Sequence, residues 1–322
     1  MLMNATRMKR TSSDKVSWLI ADIGATSSRC ATLSPPAVTP ENVHHYRNDN
    51  YAELTDLLAD FLADCEEKPR SLGLAVAAPV YGDDIRMINR DWSFSDTSLS
   101  KNLRLARVTI INDFHAIAYA LPVLNDDART EIGSATEYRG GNMAVIGPGS
   151  GLGTAAWIGG DAGGVPMTGE GGHVTVSGRD KHEDQIISRV RERFGHCSAE
   201  RILSGPGLIT LHHAMHGIEI ESSEAITGNP GDSACAATLN QFFSFLGSAA
   251  ADLALITGAF GGLYIAGGIV PACIDQLRQS PFRERFDDKN RYRDYMRRIP
   301  TYVITDPVPG LTGLAAMINR GS

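Results

Sequence analysis

The chain has 322 residues, 43% of them hydrophobic and 21% charged, with a formal net charge of -7. That length suits one large domain or two of ordinary size around a sizeable core, and the composition is neither disordered nor collagen-like. The acidic balance gives no electrostatic reason to expect nucleic acid or an anionic membrane as partner.

Residues 1–15 are polar and basic without an apolar h-region, so they read as a flexible extension and not as a signal peptide. No apolar run reaches the roughly 20 residues that span a bilayer. Cys30, Cys65, Cys197, Cys235 and Cys273 are odd in number and irregularly spaced. This favours reduced thiols in a cytoplasmic protein over a disulfide framework.

Apolar runs bounded by glycine then recur, with lengths that suit buried strands. Val16 to Ala21 is the first, and Arg29 to Leu33 follows after Asp22-Ile-Gly-Ala-Thr26, so the pair reads as a hairpin. Leu72 to Ala78 and Val108 to Ile111 are further strands, the latter running through Asn112-Asp113 into a helical pattern from Phe114 to Leu121. The polar stretch Asn125 to Gly141 reads as a connection between two lobes. A second hairpin is expected from Met143 to Ile158 around Gly147-Pro-Gly-Ser-Gly-Leu-Gly153. Gln241 to Ile256 is the clearest helix, Leu263 to Gly268 a strand ending in a tight turn, and Thr301 to Ile304 the last strand. Hairpins followed by alternating strands and helices indicate a mixed α/β architecture. One hairpin in each half hints at a duplicated fold.

Both glycine turns suit phosphate, because glycine lets converging backbone N–H groups approach an anion closely. Asp22 can hold a magnesium ion through water, and Thr26 and Ser27 add hydroxyls. The simpler reading of each turn is a hairpin that favours glycine in any case, although glycines at 147, 149, 151 and 153 exceed what a turn requires. Neither is a Walker A loop, since no lysine follows the last glycine, and the dinucleotide spacing is absent.

Asn112-Asp113 stands where a strand gives way to a helix, a position at which open α/β sheets place ligands. Either residue also makes a good helix cap, but no Glu or Gln follows at the third position to complete a capping box. In Thr168-Gly-Glu-Gly-Gly-His173, Glu170 and His173 have metal-ligand spacing, yet the glycines oppose the helix that such a site needs. Sugar hydroxyls suit this pair better than zinc; a glycine-rich surface loop explains the segment equally well. Glu200 reads as the first turn of a helix capped by Ser198, favourably placed on the helix dipole.

Taken in order, Ile111-Asn-Asp-Phe114, Gly149-Ser-Gly-Leu-Gly153, Gly169-Glu-Gly-Gly-His173, Ser198-Ala-Glu-Arg201, Leu203-Ser-Gly-Pro-Gly207, Phe260 to Pro271 and Asp287-Asp-Lys289 form a recognisable series. From about Leu19 to the C-terminus the chain resembles the bacterial glucokinase family. The resemblance implies a two-lobed actin-like ATPase (ribonuclease H-like) α/β fold with a cleft between the lobes. Residues 16–122 would form the small lobe, completed by a helix at about 311–322, and 123–310 the large lobe. The implied activity is ATP-dependent phosphorylation of glucose to glucose 6-phosphate in a cytoplasmic homodimer, with Asp113 as general base. Asn112, Asp113, Glu170, His173 and Glu200 would hold the sugar. Asp22, Gly24, Thr26, Gly149, Ser150 and Gly151 would face the ATP phosphates and their Mg2+, and Gly267 and Gly268 the adenosine.

One departure stands out. The family's first turn usually reads Asp-x-Gly-Gly-Thr-Asn, and here it is Asp22-Ile-Gly-Ala-Thr-Ser27. A Cβ at Ala25 penalises positive φ, which points to weakened ATP binding and leaves room for a sugar-binding sensor. A kinase for another hexose or an amino sugar is the other alternative. A sugar-responsive repressor is the least favoured reading, since the roughly fifteen residues before the first strand are too few for a helix-turn-helix.

Overall fold

The computed structural model describes residues 17–88, 90–133, 135, 140–159 and 163–321, so the extension expected over residues 1–15 lies outside the described residues. The chain divides into two compact units, Met1–Asp113 with Leu314–Ser322, and Phe114–Gly313. The sequence reading draws these boundaries at 122 and 310.

In the first unit, β1 (Trp18–Ile23) is buried everywhere except at Asp22, as a central strand covered on both faces should be. It turns through Gly24 into β2 (Ser27–Leu33), followed by β3 (Glu41–Arg47). Helix α1 (Leu54–Asp64) buries Leu54, Leu57, Leu58, Phe61 and Leu62, a stripe at helical spacing. The wholly buried β4 (Ser71–Val76) comes next, then a ribbon of β5 (Ile85–Arg86) and β6 (Ser93–Phe94). Helix α2 (Asp96–Leu103) opens with a Ser95–Ser98 capping box and leads to β7 (Arg107–Asn112). The sheet order is β3-β2-β1-β4-β7. The first three strands are antiparallel, whereas β1, β4 and β7 run parallel.

Helix α3 (Asp113–Ala120) follows β7 without a break. The second unit then adds β8 (Arg129–Glu131), β9 (Met143–Pro148), β10 (Leu152–Ile158) and β11 (Val165–Gly169). Helices α4 (Lys181–Phe194), α5 (Gly205–His216), α6 (Ser223–Thr227) and α7 (Ser233–Thr257) precede β12 (Gly262–Ile265). Short helices α8 (Ile274–Gln279), α9 (Phe282–Asp287) and α10 (Arg293–Met296) lead to β13 (Thr301–Ile304) and α11 (Pro309–Arg320). This sheet is ordered β11-β10-β9-β12-β13-β8. Without β8 it repeats the first sheet strand for strand, an antiparallel meander of three followed by two parallel strands. The duplication hinted at by the hairpins is therefore present in the strand order.

Two sequence expectations need correction. The stretch from Asn125 is not a plain connection, because β8 pairs with β13 and so belongs to the second sheet. Helix α7 is also long and apolar enough to cross a membrane by length and composition alone. Its residues Phe242, Phe243, Phe245, Leu246 and Ala250 instead lie in the core of the second unit.

Two carboxylates start helices here. Asp180 accepts the N–H groups of His182 and Glu183 at 2.9 and 3.0 Å, and Asp232 those of Ala234 and Cys235, both at 2.9 Å. The N–H of Glu183 holds the Asp180 carboxyl below its ordinary range, and that of Cys235 does the same for Asp232. A lowered folded pKa means stability that is present above the ordinary value of about 3.9 and lost as pH falls through the folded one. Replacing both residues by asparagine keeps the caps and removes the charges. Thermal melts followed by circular dichroism should show the variant below the parent at neutral pH, with the gap closing under acid.

Candidate active site

In the first unit the parallel strands bring two of the expected groups to one edge. Ile23 pairs with Val76, and Val76 with Asn112, so β1, β4 and β7 end level with one another. At the usual strand spacing the Asp22 turn and Asn112-Asp113 are therefore roughly 10 Å apart along the carboxyl edge of the sheet, where such sheets bind ligands. Asn112 Nδ2 donates to Ala78 O at 3.3 Å. Asp113 is half-buried and opens α3.

Asp22 has Arg29 as its cross-strand partner, with Nη1 3.7 Å from Oδ2. Burial pushes the Asp22 carboxyl up and Arg29 partly offsets this. The carboxylate accepts no hydrogen bond from the described residues, so a hard oxygen ligand stands ready for a hydrated cation. No group of three or more His, Cys, Asp or Glu side chains forms a metal cage among the described residues. That donor set suits an ion brought by a ligand better than a resident one. The turn itself closes with Gly24 N–H donating to Ser27 O at 3.0 Å, and Thr26 and Ser27 are exposed. Ala25 is not among the positive-φ residues. The strain expected at its Cβ is absent.

In the second unit Glu200 connects two of the remaining segments, the second glycine turn and the Glu170–His173 loop. This corrects the expected helix start: Ser198 forms an isolated bridge with Thr175, Glu200 lies in a turn, and helix α5 begins only after the cap Ser204. Glu200 is fixed at three points. Its N–H donates to Gly172 O at 2.8 Å, its carbonyl accepts from Ser204 Oγ at 2.8 Å, and its Oε2 accepts from Leu152 N at 2.9 Å. One residue thus ties the Glu170–His173 loop, the start of α5 and the second glycine turn together. Glu170 precedes a single turn of 3-10 helix, Gly171–His173, which His173 ends, and both residues are exposed.

The four alternating glycines separate by cause. A Cβ at Gly147 or Gly153 would lie 2.4 or 2.0 Å from the Phe114 ring, and one at Gly151 2.6 Å from Glu200 Oε2. At Gly149 nothing lies within 4 Å. Packing therefore explains three of the four, and only Gly149 is left open to a ligand. Gly149 O accepts the N–H of Gly205 at 2.8 Å, which sets the N-terminus of α5, an anion-favouring element, against this turn. Sequence reasoning missed that helix end; the Ser-Gly-Pro-Gly run at 204–207 was its signal. Gly267, at φ +86, passes so close to Pro148 O that a Cβ would lie 2.1 Å away, whereas Gly268 is open.

The chain matches the glucokinase family model over residues 19–321. The chain belongs to the glucokinase family. It is 42% identical to a glucokinase of Aromatoleum aromaticum over 319 residues, which cover 96% of each chain. Among solved structures it is similar to a glucokinase from an Antarctic psychrotroph, with a TM-score of 0.83 and 32% identity over 95% of this chain and 99% of that one. A glucokinase from Balamuthia mandrillaris, solved in complex with glucose, shares the fold at a TM-score of 0.75 and 18% identity over 97% and 95% of the two chains.

A cavity of about 280 Å³ lies within the second unit, lined in part by Thr154, Gly171, Val174, Phe245 and Ile256. The cations beside it are already paired, Arg179 with Asp288, Lys289 with Asp252 and Arg285 with Glu183. It offers mainly apolar surface, and none of the site residues expected from the sequence lines it.

Proposed function

We propose that this glucokinase-family chain transfers the γ-phosphoryl group of ATP to the 6-hydroxyl of glucose, with Asp113 as general base. Family membership supports the overall reaction. The observation that carries the residue assignment is the three-point fixation of Glu200, which joins a loop suited to sugar hydroxyls to a turn suited to phosphate. Asn112, Glu170, His173 and Glu200 bind and orient the sugar. As the hydroxyl oxygen bonds to the γ-phosphorus, its proton passes to Asp113; the bond from that phosphorus to the bridging oxygen breaks and its electrons leave with ADP. The N–H groups around Gly149 and the hydroxyl of Thr26 hold phosphate oxygens, and Gly267-Gly268 the adenosine side. Asp22 would hold ATP-borne Mg2+ through water, an ion that neutralises phosphate charge when bound.

On this reading the two units serve as the lobes that the resemblance implies, closing over the substrates in a homodimer. Five free cysteines support a reducing, cytoplasmic setting. The absence of strain at Ala25 removes the backbone argument for a sensor with weakened turnover.

Release of ADP measured over a panel of hexoses and amino sugars, with ATP or polyphosphate as donor, should be greatest for glucose with ATP. Sugar binding without ADP release from any pair would sink the kinase assignment. A second test reaches Glu200 from its neighbour. Gly151→Ala forces the carboxylate away from Leu152 N. Because a hydrogen bond to a charged group contributes about 1.5–3 kcal/mol, KM for glucose should rise at least about tenfold.

A further inference from the structure

Asn48 has no exposed surface and sits in the single 3-10 turn that follows β3. Its bonds converge on the first glycine turn. Nδ2 donates to Gly24 O at 2.9 Å and to Ala25 O at 3.3 Å, while Oδ1 accepts from Ser28 Oγ at 2.6 Å. Its backbone N–H donates to Thr26 O at 3.0 Å. Two carbonyls on one side and a hydroxyl on the other leave a single satisfactory orientation for the amide. The residue is itself anchored: Arg90 Nη1 donates to Asn48 O at 3.1 Å, pairs with Asp49 and lies over the Trp92 ring.

The consequence lies on the other side of the turn. With the carbonyls of Gly24, Ala25 and Thr26 all drawn to Asn48, the N–H groups of Ala25 and Thr26 donate to no described protein group. Successive free N–H groups in a turn form an anion-binding concavity. We propose that Asn48 is a positioning residue for the nucleotide: by holding three consecutive carbonyls, it presents the Ala25 and Thr26 N–H groups to phosphate oxygens. This rests on the reading of that turn as an ATP phosphate site. It also accounts for Ala25. A turn held through its carbonyls keeps out of the left-handed region, so the second glycine usual in the family is not required.

Asn48→Asp separates the two jobs of the side chain. It retains an acceptor for Ser28 and turns an oxygen toward the two carbonyls. Since hydrogen bonds to a charged group are the ones at stake, KM for ATP should rise about tenfold or more while KM for glucose stays within about twofold. The Kd of the β,γ-imido analogue of ATP, measured by calorimetry, should rise by the same factor. Equal shifts in both KM values, or none in either, overturn the proposal. Should the variant fail to fold, Ser28→Ala frees the amide from one side, and a rise of about threefold confined to the nucleotide is expected. No rise in that variant likewise overturns the proposal. Asp22→Asn in parallel identifies which idea has failed. If it weakens the nucleotide and Asn48→Asp does not, the phosphate turn stands and the role of Asn48 falls. If neither variant weakens it, the turn is not a phosphate site and both fall.

Discussion

Asp113→Asn should lower kcat for glucose phosphorylation by about 10²–10⁴-fold, the usual contribution of a positioned general base, while the Kd for glucose changes only a few-fold. Asparagine matches aspartate in shape and still hydrogen-bonds a hydroxyl, but it cannot take the proton. The split between turnover and binding is therefore the diagnostic result. Asp113 follows β7 directly, and the level ends of β1, β4 and β7 put it on the same sheet edge as the Asp22 turn. A coupled assay for kcat and calorimetry for glucose check the two halves. Near-normal turnover would remove Asp113 from the mechanism and leave the Glu170 carboxylate to be tried.

Glu183→Ala should destabilise the protein by about 3–5 kcal/mol, the cost of leaving a buried charge without its partner. Glu183 and Arg285 are only 2% and 8% exposed. The pair is bidentate, with Arg285 Nη1 2.6 Å from Oε1 and Nη2 3.1 Å from Oε2. Gln241 Nε2 and the N–H of Arg179 add bonds of 3.0 and 2.7 Å, so the carboxylate links α4, α7, α9 and the segment before α4. Removing it strands the guanidinium with Ser248 Oγ as its remaining hydrogen-bond partner in this network. Replacing both residues by methionine should recover much of the loss, because an apolar pair avoids the desolvation of two charges. Urea denaturation of the two single variants and the double variant reads the coupling directly. A single-variant cost below about 1 kcal/mol would class the pair with surface ion pairs.

The strands were legible where burial left an unbroken apolar run, as in β1, β4, β9 and β13. They were not legible in the exposed edge strands β3 and β11. Nearly all of β3 is exposed, and its Glu-Asn-Val-His-His-Tyr-Arg order carries no period to read; Val-Pro-Met-Thr-Gly in β11 is similar. These strands exist because a neighbour supplies a ladder of hydrogen bonds, a tertiary fact that local sequence does not contain. At the site, sequence could mark Asp22, Asn112-Asp113 and the glycine turns because each stands at the end of an apolar run. It could not separate the glycines required by Phe114 and Glu200 from the one open to a ligand, since that depends on contacts from distant parts of the chain. Asn48 had no local mark at all. Its importance comes from a turn 20 or more residues earlier in the chain. Glu200 was misplaced on a helix for the same reason: its partners Leu152 and Gly172 lie far from it in sequence.

The open surface at Gly268 has a practical consequence for covalent labelling. Cys30, Cys197, Cys235 and Cys273 are buried and Cys65 is partly so. Burial pushes all five thiols up, Cys197 and Cys273 to about 11, so little thiolate is present at neutral pH to meet an alkylating reagent. Gly268 is exposed, has no neighbour within 4 Å of a would-be Cβ and does not need positive φ. A cysteine placed there would react well ahead of the native five, and a maleimide dye on it would turn the proposed adenosine side of the site into a fluorescent reporter of nucleotide occupancy without first removing any native thiol.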